Sequence, residues 1–158
     1  MTSIEPTRME DGRAMLLAGL RRVHAFTATS RDIPMQWEEF RRMGPPPGRQ
    51  GTASYGVICG ANMEERSMEY MCAVEVDSLQ DVPPEYGRMR ITRQRYAVFT
   101  HEGGVSKLGD TWGSIWNDWL PRSGYQSAHR PDFERYDERF DPETGSGTVE
   151  IWVAVQSA

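Results

Sequence analysis

The sequence predicts an α+β fold: two strand-helix-strand-strand modules whose antiparallel strands form a sheet, with two helices packed over it and a central ligand cleft. Three observations carry that prediction. Short apolar runs bounded by Gly, Pro and Asp alternate with two longer stretches whose apolar residues recur at helical spacing. The order strand, helix, strand, strand occurs twice. The last strand of each half also matches in residue type, EYMCAV from Glu69 against EIWVAV from Glu150. The repeat is too long for a solenoid unit, so the 158 residues are read as a single domain, 1–158, of two fused halves at about 13–77 and 89–156.

Taken in order, Ala14–Leu20 (AMLLAGL) is continuously apolar and short, which predicts a strand covered on both faces. Ser30–Met43 predicts an amphipathic helix, with Ser30 as N-cap, Pro34 near the first turn and Ile33, Trp37 and Phe40 on one face. GPPPGRQG, from Gly44 to Gly51, predicts a surface loop, because its prolines lack donors. Tyr55–Cys59 and Met68–Val76 predict two strands joined by a turn around Asn62–Arg66, and Met89–Thr100 predicts one longer strand closed by the HEGG turn. Lys107–Leu120 predicts the second helix, with Leu108, Trp112, Ile115, Trp116 and Trp119 forming one apolar face before Pro121 stops it. Phe133–Tyr136 and Thr148–Val155 are the last strands, separated by DPETGSG.

Composition excludes several classes of function. A net charge of -5 argues against direct, sequence-independent nucleic-acid binding and suits a cationic or apolar partner. No apolar stretch approaches the roughly eighteen residues of a membrane span. The start, MTSIEPTRMEDGR, is acidic where a signal peptide is basic and then apolar, so the expectation is a cytoplasmic protein with no membrane partner. Cys59 and Cys72 lack metal-ligand spacing and read as small buried hydrophobes; no metal and no cofactor are expected. His24, His101 and His129 fall at element ends with no triad-like or metal-like string nearby and are expected to be solvated. Five Trp, six Tyr and nine Met supply flat, soft surface for a core or a pocket.

Four strings in the second half, YAVFTHEGG from Tyr96, WNDWLPRSGYQ ending at Gln126, PDFERYDERFDP from Pro131 and the terminal VEIWVAV, resemble the GyrI-like family in order and spacing. This family also forms the effector-binding domain of AraC- and MerR-type regulators. In the first half the resemblance is looser, through LAGLRR from Leu17 and EYMCAVEV from Glu69. The resemblance implies the same duplicated module and a ligand pocket with a glutamate at Glu134. The segment before Ala14 is too short for a helix-turn-helix domain, so the expectation is a stand-alone pocket rather than a one-chain transcription factor.

Period-two geometry places Glu134 and Tyr136 on one strand face, and Glu150, Trp152 and Ala154 on one face of the last strand. A carboxylate among aromatic rings attracts a cation by charge and by ring quadrupole, while a low-dielectric wall raises the acid's pKa. Trp37, Trp112 and Trp116 would line the cleft from the helices, with Tyr55, Tyr70 and Phe99 near the junction; simple core packing is the competing reading for each. Three functions compete. The first is sequestering or sensing of bulky, amphipathic, often cationic small molecules. In the second, implied by the resemblance, a hydrolase opens cyclopropane-bearing alkylators, with Glu134 as base and Glu150 or Tyr136 handling a proton. The third is acidic inhibition of a protein partner such as DNA gyrase.

Overall fold

A computed structural model describes residues 3–158. In chain order the elements are β1 (Arg8–Gly12), β2 (Met15–Ala25), a 3-10 turn (Phe26–Ala28), α1 (Thr29–Met43), β3 (Arg49–Asn62), β4 (Ser67–Val76), β5 (Gly87–Ile91) and β6 (Gln94–Gly104). A second 3-10 turn (Val105–Lys107) leads into α2 (Leu108–Ser114), a π-helical turn (Ile115–Trp119) and α3 (Leu120–Arg122), followed by β7 (Tyr125–Ser127), β8 (Asp132–Asp141) and β9 (Ser146–Ser157). These fall into two compact units: a first module, Ala14–Thr92, and a second, residues 3–13 with Arg93–Ala158.

In the first module the antiparallel strand order is β3-β4-β2-β5. One face packs Ala18, Leu20, Tyr70, Cys72, Val74 and Val76 with Phe40 of α1. The other face is buried too: Leu17, Val57, Met71 and Ala73 have no exposed surface. That double burial is why AMLLAGL carries no polar alternation. α1 ends at Gly44, whose φ of 79° lets its N–H reach the carbonyls of Phe40 and Arg41.

In the second module the order is β1-β6-β9-β8, with β7 also pairing β9, and every pairing is antiparallel. Ala97, Phe99, Val149, Ile151, Val153 and Val155 form one core with Leu108, Ile115 and Trp119 of the helical segment. Thus each module carries an antiparallel sheet with a helix on it, which is the α+β fold the sequence predicts.

The registers of the two modules superimpose. His24 pairs with Met68, one residue before Glu69, and His101 pairs with Val149, one residue before Glu150. Each leading strand runs through a 3-10 turn into a helix, so that Ile33, Trp37 and Phe40 correspond to Trp112, Trp116 and Trp119. Phe40 and Trp119, at equivalent helix positions, are both buried.

Several sequence expectations need correction. Ser30 is not the N-cap: the helix begins at Thr29 directly from the 3-10 turn without a side-chain cap, which leaves Pro34 inside it. The loop after Gly44 ends earlier than expected, because Arg49 already pairs with Val76. Met89–Thr100 is two strands, broken where the chain passes from the first module to the second at Thr92. HEGG is not a turn; it continues β6, with Gly103 pairing Gly147. Pro121 does not stop the second helix. The π-helical turn restarts the hydrogen-bond register, so Pro121 falls in the first turn of α3, where a missing N–H costs little. Among the described residues, no helix is long and apolar enough to cross a membrane.

Candidate ligand-binding site

Glu134 sits opposite Ile151, a residue of the core beneath α2, so it faces the helical segment. It is 5% exposed. The Trp112 indole N–H donates to its Oε2 at 2.9 Å, and the Tyr136 hydroxyl donates to its Oε1 at 2.8 Å. Period two in β8 puts Tyr136 beside Glu134, and α2 brings Trp112 over them. Each donor satisfies one of the two buried oxygens, and each adds a ring face. A buried carboxylate held by aromatic donors is complementary to a soft, weakly hydrated cation.

Glu150 lies on the other face of the second module's sheet, beside Trp152. Phe133 pairs with Trp152 and stacks on it, with ring centroids 5.3 Å apart, while the Tyr96 ring meets Trp152 edge-on at 5.4 Å. Arg8 reaches Glu150 at 3.0 Å and Arg139 at 3.4 Å, with Arg135 at 4.0 Å; the Trp152 indole N–H donates to it at 3.1 Å. The Arg8 guanidinium also lies 5.4 Å from the Trp152 ring centroid. Burial pushes the Glu150 carboxyl up, but hydrogen bonds from Arg8, Trp152 and Arg139 outweigh it and hold the group below the usual carboxylate range. The expected upward shift therefore fails at Glu150, for the stated reason that guanidinium groups reach it. An acid so held is ionised at neutral pH and is poorly suited to supply a proton. The structure does not bring Glu150 and Trp152 onto the face of Glu134 and Tyr136.

Of the remaining candidates, Trp112 and Trp116 both pack, partly exposed, against the second module's core. Phe99 is wholly buried there, edge-on to Trp119 at 5.0 Å. In the first module Trp37 packs over the sheet and its indole N–H reaches the Tyr70 hydroxyl at 3.2 Å. Tyr55, opposite Ala73, is on the face away from Tyr70. The structure thus gathers Glu134, Tyr136 and Trp112 in one module, Trp37 and Tyr70 in the other.

Two histidines depart from expectation. His24 and His101 are buried, not solvated, and each ties a strand to a helix: His24 through Gln36 at 2.6 Å, His101 through Thr111 at 2.8 Å. Gln36, also buried, donates to the carbonyls of Leu20 and Tyr70, one on each of two adjacent strands. His129 is exposed as expected. Cys72 is buried and Cys59 half-buried, with burial pushing the Cys59 thiol up to about 11. Such a thiol is inert at neutral pH.

Sequence reasoning missed Asp132. Its carboxylate accepts the Ala154 N–H at 2.7 Å, where β9 passes from β8 to β7 and would otherwise leave a donor open. Burial pushes Asp132 up to about 7 despite that hydrogen bond. A polar residue directly after Pro131, at the head of a buried strand, was the available signal.

This arrangement is that of a small-molecule binding domain. The family model of the GyrI-like small molecule binding domain matches residues 5–156, and the chain belongs to the GyrI-like family. It is similar to the transcriptional regulator BrlR of Pseudomonas aeruginosa, 31% identical over 103 residues, which are 65% of this chain and 37% of that protein. The chain thus spans little more than a third of that curated relative. Among solved structures, SAV2435 bound to tetraphenylphosphonium superimposes with a TM-score of 0.74 at 20% identity, covering 94% of this chain and 93% of that one. An integron cassette protein of Vibrio cholerae gives 0.71 at 18% identity, with 98% of each chain covered. The EcmrR C-terminal domain gives 0.68 at 16% identity, covering 96% and 97%. At these identities the likeness establishes the fold.

Proposed function

We propose that this protein binds bulky hydrophobic cations at Glu134, sequestering or sensing them in the cytoplasm as a single GyrI-like domain. The observation that carries the reading is a buried carboxylate whose two oxygens are held by Trp112 and Tyr136. A hydrophobic cation loses little hydration on entering such a site and gains a counter-charge at low dielectric. The tetraphenylphosphonium bound to SAV2435, a protein of the same fold, supports this ligand class. Glu150 and Trp152 then act as structural partners of Arg8 and Arg139. Fluorescence titration with tetraphenylphosphonium tests the reading: Glu134→Gln should weaken binding at least about tenfold, which is about 1.4 kcal/mol. Equal affinity in the two proteins would remove Glu134 from the site.

A second reading rests on the Tyr136–Glu134 hydrogen bond, since a carboxylate and a phenol in contact form a proton-handling pair. In it, Glu134 takes a proton from water as the oxygen attacks a cyclopropane carbon, and Tyr136 returns a proton to the opened ring system. Mass spectrometry of a recovered alkylator separates the readings: a gain of one water, lost in Glu134→Gln, marks hydrolysis, and an intact compound marks binding.

A further inference from the structure

The buried histidines of the two modules hold different points of their helices. His24 reaches Gln36, in the middle of the 15-residue α1, and Gln36 is itself fixed by the carbonyls of Leu20 and Tyr70. His101 reaches Thr111, the residue before Trp112, on a helix of 7 residues. That helix contains Gly109 and Gly113, starts without a side-chain cap and runs into a π-helical turn. A helix so short and glycine-rich has little stability of its own and is placed by its tertiary contacts.

The His101 ring holds the approach to α2 at two points. Its Nε2 lies 3.0 Å from the Gly104 carbonyl oxygen, where β6 gives way to the 3-10 turn, and its Nδ1 lies 2.8 Å from the Thr111 hydroxyl. A carbonyl only accepts, so Nε2 carries a proton, and in the neutral ring Nδ1 accepts the hydrogen bond that the Thr111 hydroxyl donates.

The sheet register sets this tie beside the ligand site. His101, Val149 and Tyr136 form one row across β6, β9 and β8, and Phe99, Ile151 and Glu134 form the next. Side chains opposite one another in antiparallel strands share a face, so His101 stands on the helix side with Glu134 and Tyr136. Successive residues of α2 are thereby tied to different strands: Thr111 to His101 on β6, and Trp112 to Glu134 on β8.

We propose that His101 is a positioning residue for the ligand site: through Thr111 it sets α2 so that the Trp112 indole N–H meets Glu134. Its effect on a ligand rests on the binding role proposed for Glu134; its effect on the Trp112–Glu134 contact does not.

Thr111→Val keeps the branched shape and removes the hydroxyl, while Thr111→Ser retains the hydroxyl. Proton NMR follows the Trp112 indole N–H, assigned by its loss in Trp112→Phe. In Thr111→Val that N–H should exchange with solvent at least about tenfold faster than in wild type, and in Thr111→Ser within about twofold of the wild-type rate. Affinity for tetraphenylphosphonium should fall at least about threefold in the Val variant and hold in the Ser variant. In a His101→Phe background, checked for folding by circular dichroism, Thr111→Val should change neither quantity further. A Val variant with a lower urea midpoint but wild-type indole exchange would have lost only a structural bond, which overturns the inference. Faster exchange with unchanged affinity overturns it too, since the contact would then not matter to the ligand. A wild type that does not bind tetraphenylphosphonium overturns the binding role of Glu134 alone, and the indole exchange still decides whether His101 sets the Trp112–Glu134 contact.

Discussion

The Trp112 indole and the Glu134 carboxylate form one unit: a helix delivers the N–H to within 2.9 Å of an acid that β8 has buried. Removing the N–H while keeping most of the ring separates the two contributions of Trp112. Trp112→Phe should retain the fold and most aromatic contact but remove the N–H donated to Glu134, at a stability cost of about 1–2 kcal/mol. Trp112→Ala removes packing as well and should cost about 3 kcal/mol or more. Urea denaturation of the pair, beside tetraphenylphosphonium titration, checks this; a Phe variant as unstable as the Ala variant would make the hydrogen bond the dominant contribution.

Glu150→Gln should behave oppositely to Glu134→Gln. It loses the ion pairs to Arg8 and Arg139, whose side chains are 38% and 45% exposed, so solvent screening limits the loss to about 1–2 kcal/mol. Because the folded pKa is depressed, that stability is present above the ordinary glutamate pKa and is lost as the pH falls through the folded value. Cation affinity should stay within about threefold of wild type, since the carboxylate is on the opposite sheet face from Glu134. A large loss of affinity with unchanged stability would contradict this assignment.

These two glutamates also mark the limit of what the sequence discloses. Alternation within β8 and β9 correctly pairs Glu134 with Tyr136 and Glu150 with Trp152. It cannot say whether the two pairs share a face, because that depends on register, and the Glu134–Ile151 pairing puts them on opposite sides. The modules, both helices and the matching terminal strands were legible through apolar period and residue type. β1 was not: RMEDG has no apolar alternation, and the strand joins β6 by backbone pairing at the sheet edge. His24 and His101 resembled solvated residues at element ends because their partners, Gln36 and Thr111, lie a turn or more into the following helices.

Asp132 gives the protein a predictable pH dependence. Its folded pKa of about 7 exceeds the ordinary value of 3.8, so between those values the folded chain holds a proton that the unfolded chain has released. Its contribution to stability is therefore fully present below about pH 4 and is lost as the pH rises through about 7, by up to about 1.4 kcal/mol per pH unit. Asp132→Asn keeps an acceptor for the Ala154 N–H without an ionisable group. It should flatten the fall in the urea midpoint across that window and match or exceed wild-type stability above it. A variant whose stability fell with pH as steeply as wild type would remove Asp132 as the cause.

Gly19 tests how closely the central strands of the first module approach. A Cβ built there would lie 1.8 Å from the Cys72 carbonyl oxygen and 2.7 Å from the Ala73 Cα, both backbone atoms of β4 that cannot rotate away. The constraint is one of space rather than of backbone angle, because Gly19 is not among the positive-φ glycines. Gly19→Ala should therefore push β2 from β4 and cost about 3 kcal/mol or more, enough to consume much of a domain's net stability. Gly60→Ala, also in a strand but with no atom within 4 Å of its Cβ, should change stability by no more than about 0.5 kcal/mol. Thermal melts of the two variants decide the matter: similar midpoints would mean that β2 and β4 can separate at little cost, and that the buried pairing between them is not what holds the first module together.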